Sequence, residues 1–147
     1  MITAMHTMTN RDASGLFDVR PILSVDNVTR SIHYYVGSLG FRLAWAWSTT
    51  EQRFLQPGDE IEIGFALVGR GPIQFMLSHQ SQGAPGMWLH LDVDTAEQLD
   101  ALHAEWQQNG ARIVEPPFLR PWGMYEMRVE DLDGHVLRVS APPRPAA

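Results

Sequence analysis

Hydrophobic residues alternate with polar ones, then recur every third or fourth position, then alternate again, and this order runs through the chain twice. In the first pass Pro21-Ile22-Leu23-Ser24-Val25 reads as a short strand, and Asp26 and Asn27 follow with side-chain oxygens suited to cap a helix. Val28, Ile32, Tyr35, Val36 and Leu39 stand at helical spacing, and Gly40 stops the run. Alternation returns in 41–47, 60–68 and 73–78, separated by a polar stretch at 48–56 and by turns at Pro57-Gly58-Asp59 and Gly69-Arg70-Gly71-Pro72. After a loop at 80–86, rich in Ser, Gly, Pro and Gln, the second pass opens with a strand at 88–93. Thr95 and Gln98 are spaced as a capping box, Leu99, Leu102 and Trp106 form an inward stripe, and Asn109-Gly110 ends the helix. A strand at 111–114, a break at Pro116-Pro117 and a hairpin hinged on Asp133-Gly134 complete it.

The repeat is therefore β-α-β-β-β, with Ser24-Val25-Asp26 answered by Asp92-Val93-Asp94. Neither copy is large enough to bury its own sheet. The predicted fold is α+β: two βαβββ modules, about 19–82 and 86–141, side by side in one curved eight-stranded mixed β-sheet around a cleft, with helices on the outside. Residues 19–141 form one domain, 1–18 a flexible leader without the pattern of a secretion signal, and 142–147 a tail.

Composition narrows the function. No apolar run is long enough to span a membrane. The absence of cysteine removes disulfides and thiolate chemistry and suits a cytoplasmic protein. Eleven basic against seventeen acidic residues, a formal charge of −6, argue against nucleic acid as a partner; the acidity either welcomes a cationic ligand or serves solubility.

Several stretches resemble the vicinal oxygen chelate superfamily, which holds glyoxalase I, extradiol dioxygenases, fosfomycin-resistance enzymes and bleomycin-resistance proteins. They are Pro21 through Val28, Tyr35-Val36 before Leu39-Gly40-Phe41, Leu102-His103-Ala104-Glu105-Trp106, Pro121-Trp122-Gly123 and Asp131-Leu132-Asp133-Gly134. Ala-Glu-Trp and Pro-Trp-Gly look most like bleomycin-binding members. Metal-dependent members place His or Glu at the ends of four inner strands. The corresponding positions here hold Arg20, Gln74 or Met76, Trp88, and Arg138. An arginine repels a cation, so no metal ligand, no cofactor and no catalytic residue is assigned.

The candidate ligand-binding residues are Trp122, Trp88, His90, Trp45, Trp47, Met76, Tyr125 and Arg138. Trp122, rigid between Pro121 and Gly123, offers a surface for a flat heteroaromatic or a cation. Trp88 and His90 share a strand face, as do Trp45 and Trp47 with Leu43 and Phe41 before them. Trp45, Trp47 and Met76 line either the cleft or the core. Tyr125 and Glu126 lie on opposite faces of the hairpin, and alternation leaves open which one meets the cleft. Arg20 and Arg138 either hold an anion or pair with local carboxylates such as Glu126. His33, His79, His103 and His135 receive no role. The expected function is a metal-independent binding protein of bleomycin-resistance type, which sequesters a bleomycin-like compound or another natural product in an aromatic cleft. The resemblance implies a homodimer with clefts completed by both subunits. The alternatives are a glyoxalase-fold enzyme, working through a displaced metal or through acid–base chemistry at His90 or Glu126, and a carrier of a secondary metabolite.

Overall fold

The computed structural model describes residues 12–145; residues 1–11 of the leader expected at 1–18 and the last two residues of the expected tail lie outside them. The first module runs β1 (Ile22–Val25), α1 (Val28–Gly37), β2 (Arg42–Ser48), β3 (Arg53–Phe54), β4 (Phe65–Arg70) and β5 (Ile73–His79). The second runs β6 (Trp88–Asp92), α2 (Ala96–Gln108), β7 (Arg112–Leu119), β8 (Tyr125–Glu130) and β9 (Val136–Ala141).

Both helices start where the sequence supplies a cap. Asn27 accepts from the Arg30 amide at 2.9 Å, and Thr95 and Gln98 close a reciprocal capping box. α1 buries Val28, Ile32 and Tyr35 as expected, but the covered arc extends through Ser31 and Tyr34 rather than to Val36, which is exposed. Tyr34 is held by its hydroxyl, which donates to the Glu130 carbonyl at 2.6 Å and accepts from the Arg112 amide at 2.9 Å.

In each module the helix carries the chain across to let the first strand lie parallel to the last, the crossover that a parallel pair requires. The orders are β1-β5-β4-β2-β3 and β6-β9-β8-β7, so the described residues form two mixed sheets of five and four strands in place of one continuous eight-stranded sheet. The fifth strand of the first sheet, β3, comes from the stretch expected to be a polar loop. Strand pairing in 60–68 begins only at Phe65. β7, by contrast, runs through Pro116-Pro117, because it is an edge strand with register shifts where missing amides cost no ladder bond.

One hydrophobic core joins the modules, with Leu23, Tyr35, Leu39, Phe41 and Leu77 of the first packed in the same cluster as Leu99, Trp106, Met127 and Leu137 of the second. Polar fasteners cross the same seam. Trp106 Nε1–H donates to the Leu39 carbonyl at 2.9 Å, Arg70 clasps Glu105 with both nitrogens at 2.6 and 2.9 Å, and Tyr35 Oη donates to Asp131 at 2.9 Å. Glu105 and Trp106 thus act in module docking. His135 is fully buried: Nδ1 accepts from the Met87 amide at 3.1 Å, and Nε2–H donates to the Ser24 carbonyl at 2.7 Å. A histidine with no assigned role in the sequence pins the start of β9 to β1.

Candidate functional site

Alternation sorts the second sheet into two faces. Leu89, Leu91, Met127, Val129, Leu137 and Val139 turn to the helix side, and the opposite face carries Trp88, His90, Asp92, Glu126, Arg128, Arg138 and Ser140. Parallel register sets His90 beside Arg138, and antiparallel register sets Glu126 beside Ser140. With Trp122 and Met124 these four line a hollow of about 420 Å³. Trp122 reaches it from a turn in which Gly123 has φ 94°, a conformation that disfavours any side chain. The indole is 56% exposed, and its Nε1–H donates to Glu126 Oε2 at 3.2 Å.

A chain of hydrogen bonds fixes the imidazole of His90. Arg138 Nε–H donates to Nδ1 at 3.0 Å, so the proton is on Nε2, which donates to Asp92 at 2.9 Å. With Nδ1 accepting and Nε2–H donating, this histidine has no lone pair left to take a proton from a substrate. Further along the face, Glu115 accepts from Arg120 at 2.8 Å and from Arg128 at 2.7 Å; the Arg120 bond leads in holding its carboxyl below the ordinary glutamate range. Trp88 is 55% exposed, with the Arg128 guanidinium 5.1 Å from its ring centre.

Among the described residues, two polar atoms in the hollow have no partner. Glu126 is 2% exposed and its Oε1 meets no donor; Ser140 is 1% exposed and its Oγ is equally unpartnered. Leaving such a group unpaired costs about 1–3 kcal/mol.

The first sheet presents a different surface. Register slips between Leu43 and Trp45, so Ala46 and Ser48 enter the core while Trp45 and Trp47 emerge on the other side. Phe41 therefore does not share their face: it is buried and stacks on Phe75 at 5.6 Å. Trp45 and Trp47 meet the Phe54 ring at 5.8 and 4.8 Å, and Trp45 lies 5.7 Å from Phe65. Met76 lines a separate hollow of about 470 Å³ with Leu16, Phe17, Asp18, Arg20 and Ile22. Arg20 donates to Gln74 at 2.6 Å and has Asp18 at 3.4 Å; neither Arg20 nor Arg138 pairs with Glu126.

The structure thus brings Trp122, His90 and Arg138 together, sets Trp88 on the same sheet face, and places Trp45, Trp47 and Met76 on the other sheet. Tyr125 leaves the candidate set. It turns to the helix side, where its hydroxyl donates to Asp100 of α2 at 2.5 Å and the Arg144 guanidinium lies 5.2 Å from its ring. Burial raises the Tyr125 hydroxyl, and the bond from Tyr125 lowers the Asp100 carboxyl. Glu126 takes the place facing the hollow. Ser140 and Asp92 were missed, although each lies two residues along a strand from a named candidate, Arg138 and His90. A third hollow, of about 190 Å³, lies at the module seam between Phe41, Ile73, Leu91, Leu102 and Trp106.

The donor set does not suit a divalent ion. Arg20 and Gln74 are bonded to each other on one sheet, Arg138 and His90 on the other, and among the described residues no group of three or more His, Cys, Asp or Glu converges to hold a metal. Nor, among them, is any helix long and apolar enough to cross a membrane.

Similar architectures are known. The bleomycin-binding protein of the bleomycin producer Streptomyces verticillus, solved with copper(II)-bleomycin, is 24% identical, with 86% of this chain and 96% of that one aligned at a TM-score of 0.62. The bleomycin resistance determinant encoded on transposon Tn5 is 19% identical, over 85% and 97% of the two chains, at 0.62. TioX from Micromonospora sp. ML1 is 22% identical, over 84% and 98%, at 0.65. No curated protein matches the sequence. The sequence itself matches the family model over residues 16–139, nearly all of both modules, and by that match the chain belongs to the Glyoxalase/Bleomycin resistance protein/Dioxygenase superfamily.

Proposed function

We propose that this protein is a metal-independent binding protein that sequesters a flat, aromatic natural product of the bleomycin type. The observation that carries the reading is a pair of indoles, Trp122 and Trp88, each more than half exposed on the sheet face that holds the polar hollow. Water-exposed indoles of this size are unfavourable in a free protein and supply stacking area to a ligand. The bonded His90 and the arginines at the former metal positions support binding over turnover. The acidic balance of the chain suits a basic drug. A cytoplasmic homodimer, in which each cleft is completed by the partner subunit, belongs to the same reading.

The test is a tryptophan-fluorescence titration of metal-stripped protein with bleomycin, with Trp122→Phe as control. Saturable quenching in the wild type at micromolar ligand, an affinity of about −8 kcal/mol, weakened in the variant, is the expected result. A flat response in the wild type would remove bleomycin-type sequestration and direct attention to other substrates.

A further inference from the structure

We infer that Glu126 and Ser140 form a recessed anchor for a primary amine on the ligand, with the Trp122 indole as its movable cover. The inference rests on the aromatic binding site proposed above and names the group that such a ligand presents to it.

Glu126 and Ser140 are direct neighbours across β8 and β9, both almost wholly buried, and both hold an oxygen without a donor. Nearby cations bond elsewhere through some of their nitrogens, while the buried Nε–H of Arg120 and of Arg128 has no partner among the described residues and Arg138 itself lines the hollow. Arg120 bonds Glu115 and the backbone carbonyl of Glu126, Arg128 bonds Glu115, and Arg138 directs Nε to His90. Among the described residues the one donor to the Glu126 carboxyl group is the Trp122 indole N–H, on a residue that is itself more than half exposed. Turning that indole aside frees Glu126 Oε2 as well, beside the two orphan oxygens.

The chemistry of the floor selects its occupant. The Glu126 oxygen accepts and the Ser140 hydroxyl accepts as well as donates, so a group with at least two N–H bonds serves both, and an ammonium carries three with no acceptor of its own. A carboxylate or phosphate would accept from the Ser140 hydroxyl but set its other oxygens against the Glu126 carboxyl group. Once displaced, the indole face attracts the same cation, so the cover becomes part of the site.

Calorimetric titration of the full chain with three near-isosteric probes tests this: tryptamine, tryptophol and indole-3-propionate. A hydrogen bond to a charged group predicts that tryptamine binds about tenfold or more tightly than tryptophol, with indole-3-propionate weakest. Glu126→Gln, which keeps an acceptor for the Trp122 indole, is expected to erase the preference for tryptamine, read as the ratio of tryptamine to tryptophol affinity within the variant. Should that variant fail to fold, Ser140→Ala replaces it, and tryptamine is expected to lose more affinity than tryptophol. Equal binding of the three probes, or a tryptamine preference that survives Glu126→Gln, overturns the amine anchor and leaves the aromatic site standing. Absence of binding by all three at millimolar concentration overturns both.

Discussion

The two sheets share one topology and have opposite characters on the face away from the helices. The first offers Trp45, Trp47, Phe54, Phe65 and Met76, a surface with much apolar area and little direction. The second offers a lattice of fixed hydrogen bonds, Arg138 to His90 to Asp92 and Arg120 and Arg128 to Glu115, with indoles at its rim. A duplicated unit keeps its crossover and helix packing because they set the core, while the outward face is free to diverge. In the binding role proposed above, one wall would supply affinity through area and the other selectivity through donors and acceptors.

The comparison can be broken at its root by removing what both sheets share. Trp106 is buried, spans the seam and donates to Leu39, so Trp106→Ala is expected to cost about 3–5 kcal/mol and to lower both modules in one urea transition. Two separate transitions would mean that the modules stand independently. On the second sheet, Trp122→Ala is expected to weaken tryptophol binding on the order of thirtyfold, equivalent to about 2 kcal/mol, and to leave the urea midpoint unchanged because the side chain is exposed. On the first sheet, Trp47→Ala is expected to weaken tryptamine, tryptophol and indole-3-propionate alike, by about fivefold, since an apolar wall does not read charge. A charge-dependent loss there would erase the distinction between the walls.

The smallest effect concerns pH. Burial holds the Asp131 carboxyl above the ordinary aspartate range. A carboxyl raised in the folded state binds its proton more tightly there than in the unfolded chain. Its contribution is full below the unfolded value of about 4 and is lost as pH rises through the raised folded value. The stability of the wild type relative to Asp131→Asn, from urea melts, is therefore expected to increase as pH falls from 7 toward 4. A decrease would mean that the carboxyl is stabilised in its charged form.

Much of this was readable in the chain. Asn27 and the Thr95–Gln98 box start helices where expected, and the repeated alternation predicts two like modules. The site was only partly readable. Nothing in the run 41–47 marks the bulge after Leu43, because a register slip is decided by the partner strand β4 and not by residue parity. The choice between Tyr125 and Glu126 stayed open for a different reason. Met127 and Val129 put Tyr125 on the helix side, but Met124 blurred the alternation, and the deciding partner, Asp100, lies on a distant helix. The seam fasteners Glu105 and His135 were unreadable, since their partners are 35 and 111 residues away.

His135 has a further consequence, in the exchange of amide protons with solvent. The Met87 N–H, at the end of an exposed loop, is tied to an imidazole that solvent does not reach. Its deuterium uptake requires that imidazole to release it. This single loop amide should therefore exchange as slowly as the strand interiors, and its rate measures how often the loop lets go of the buried imidazole.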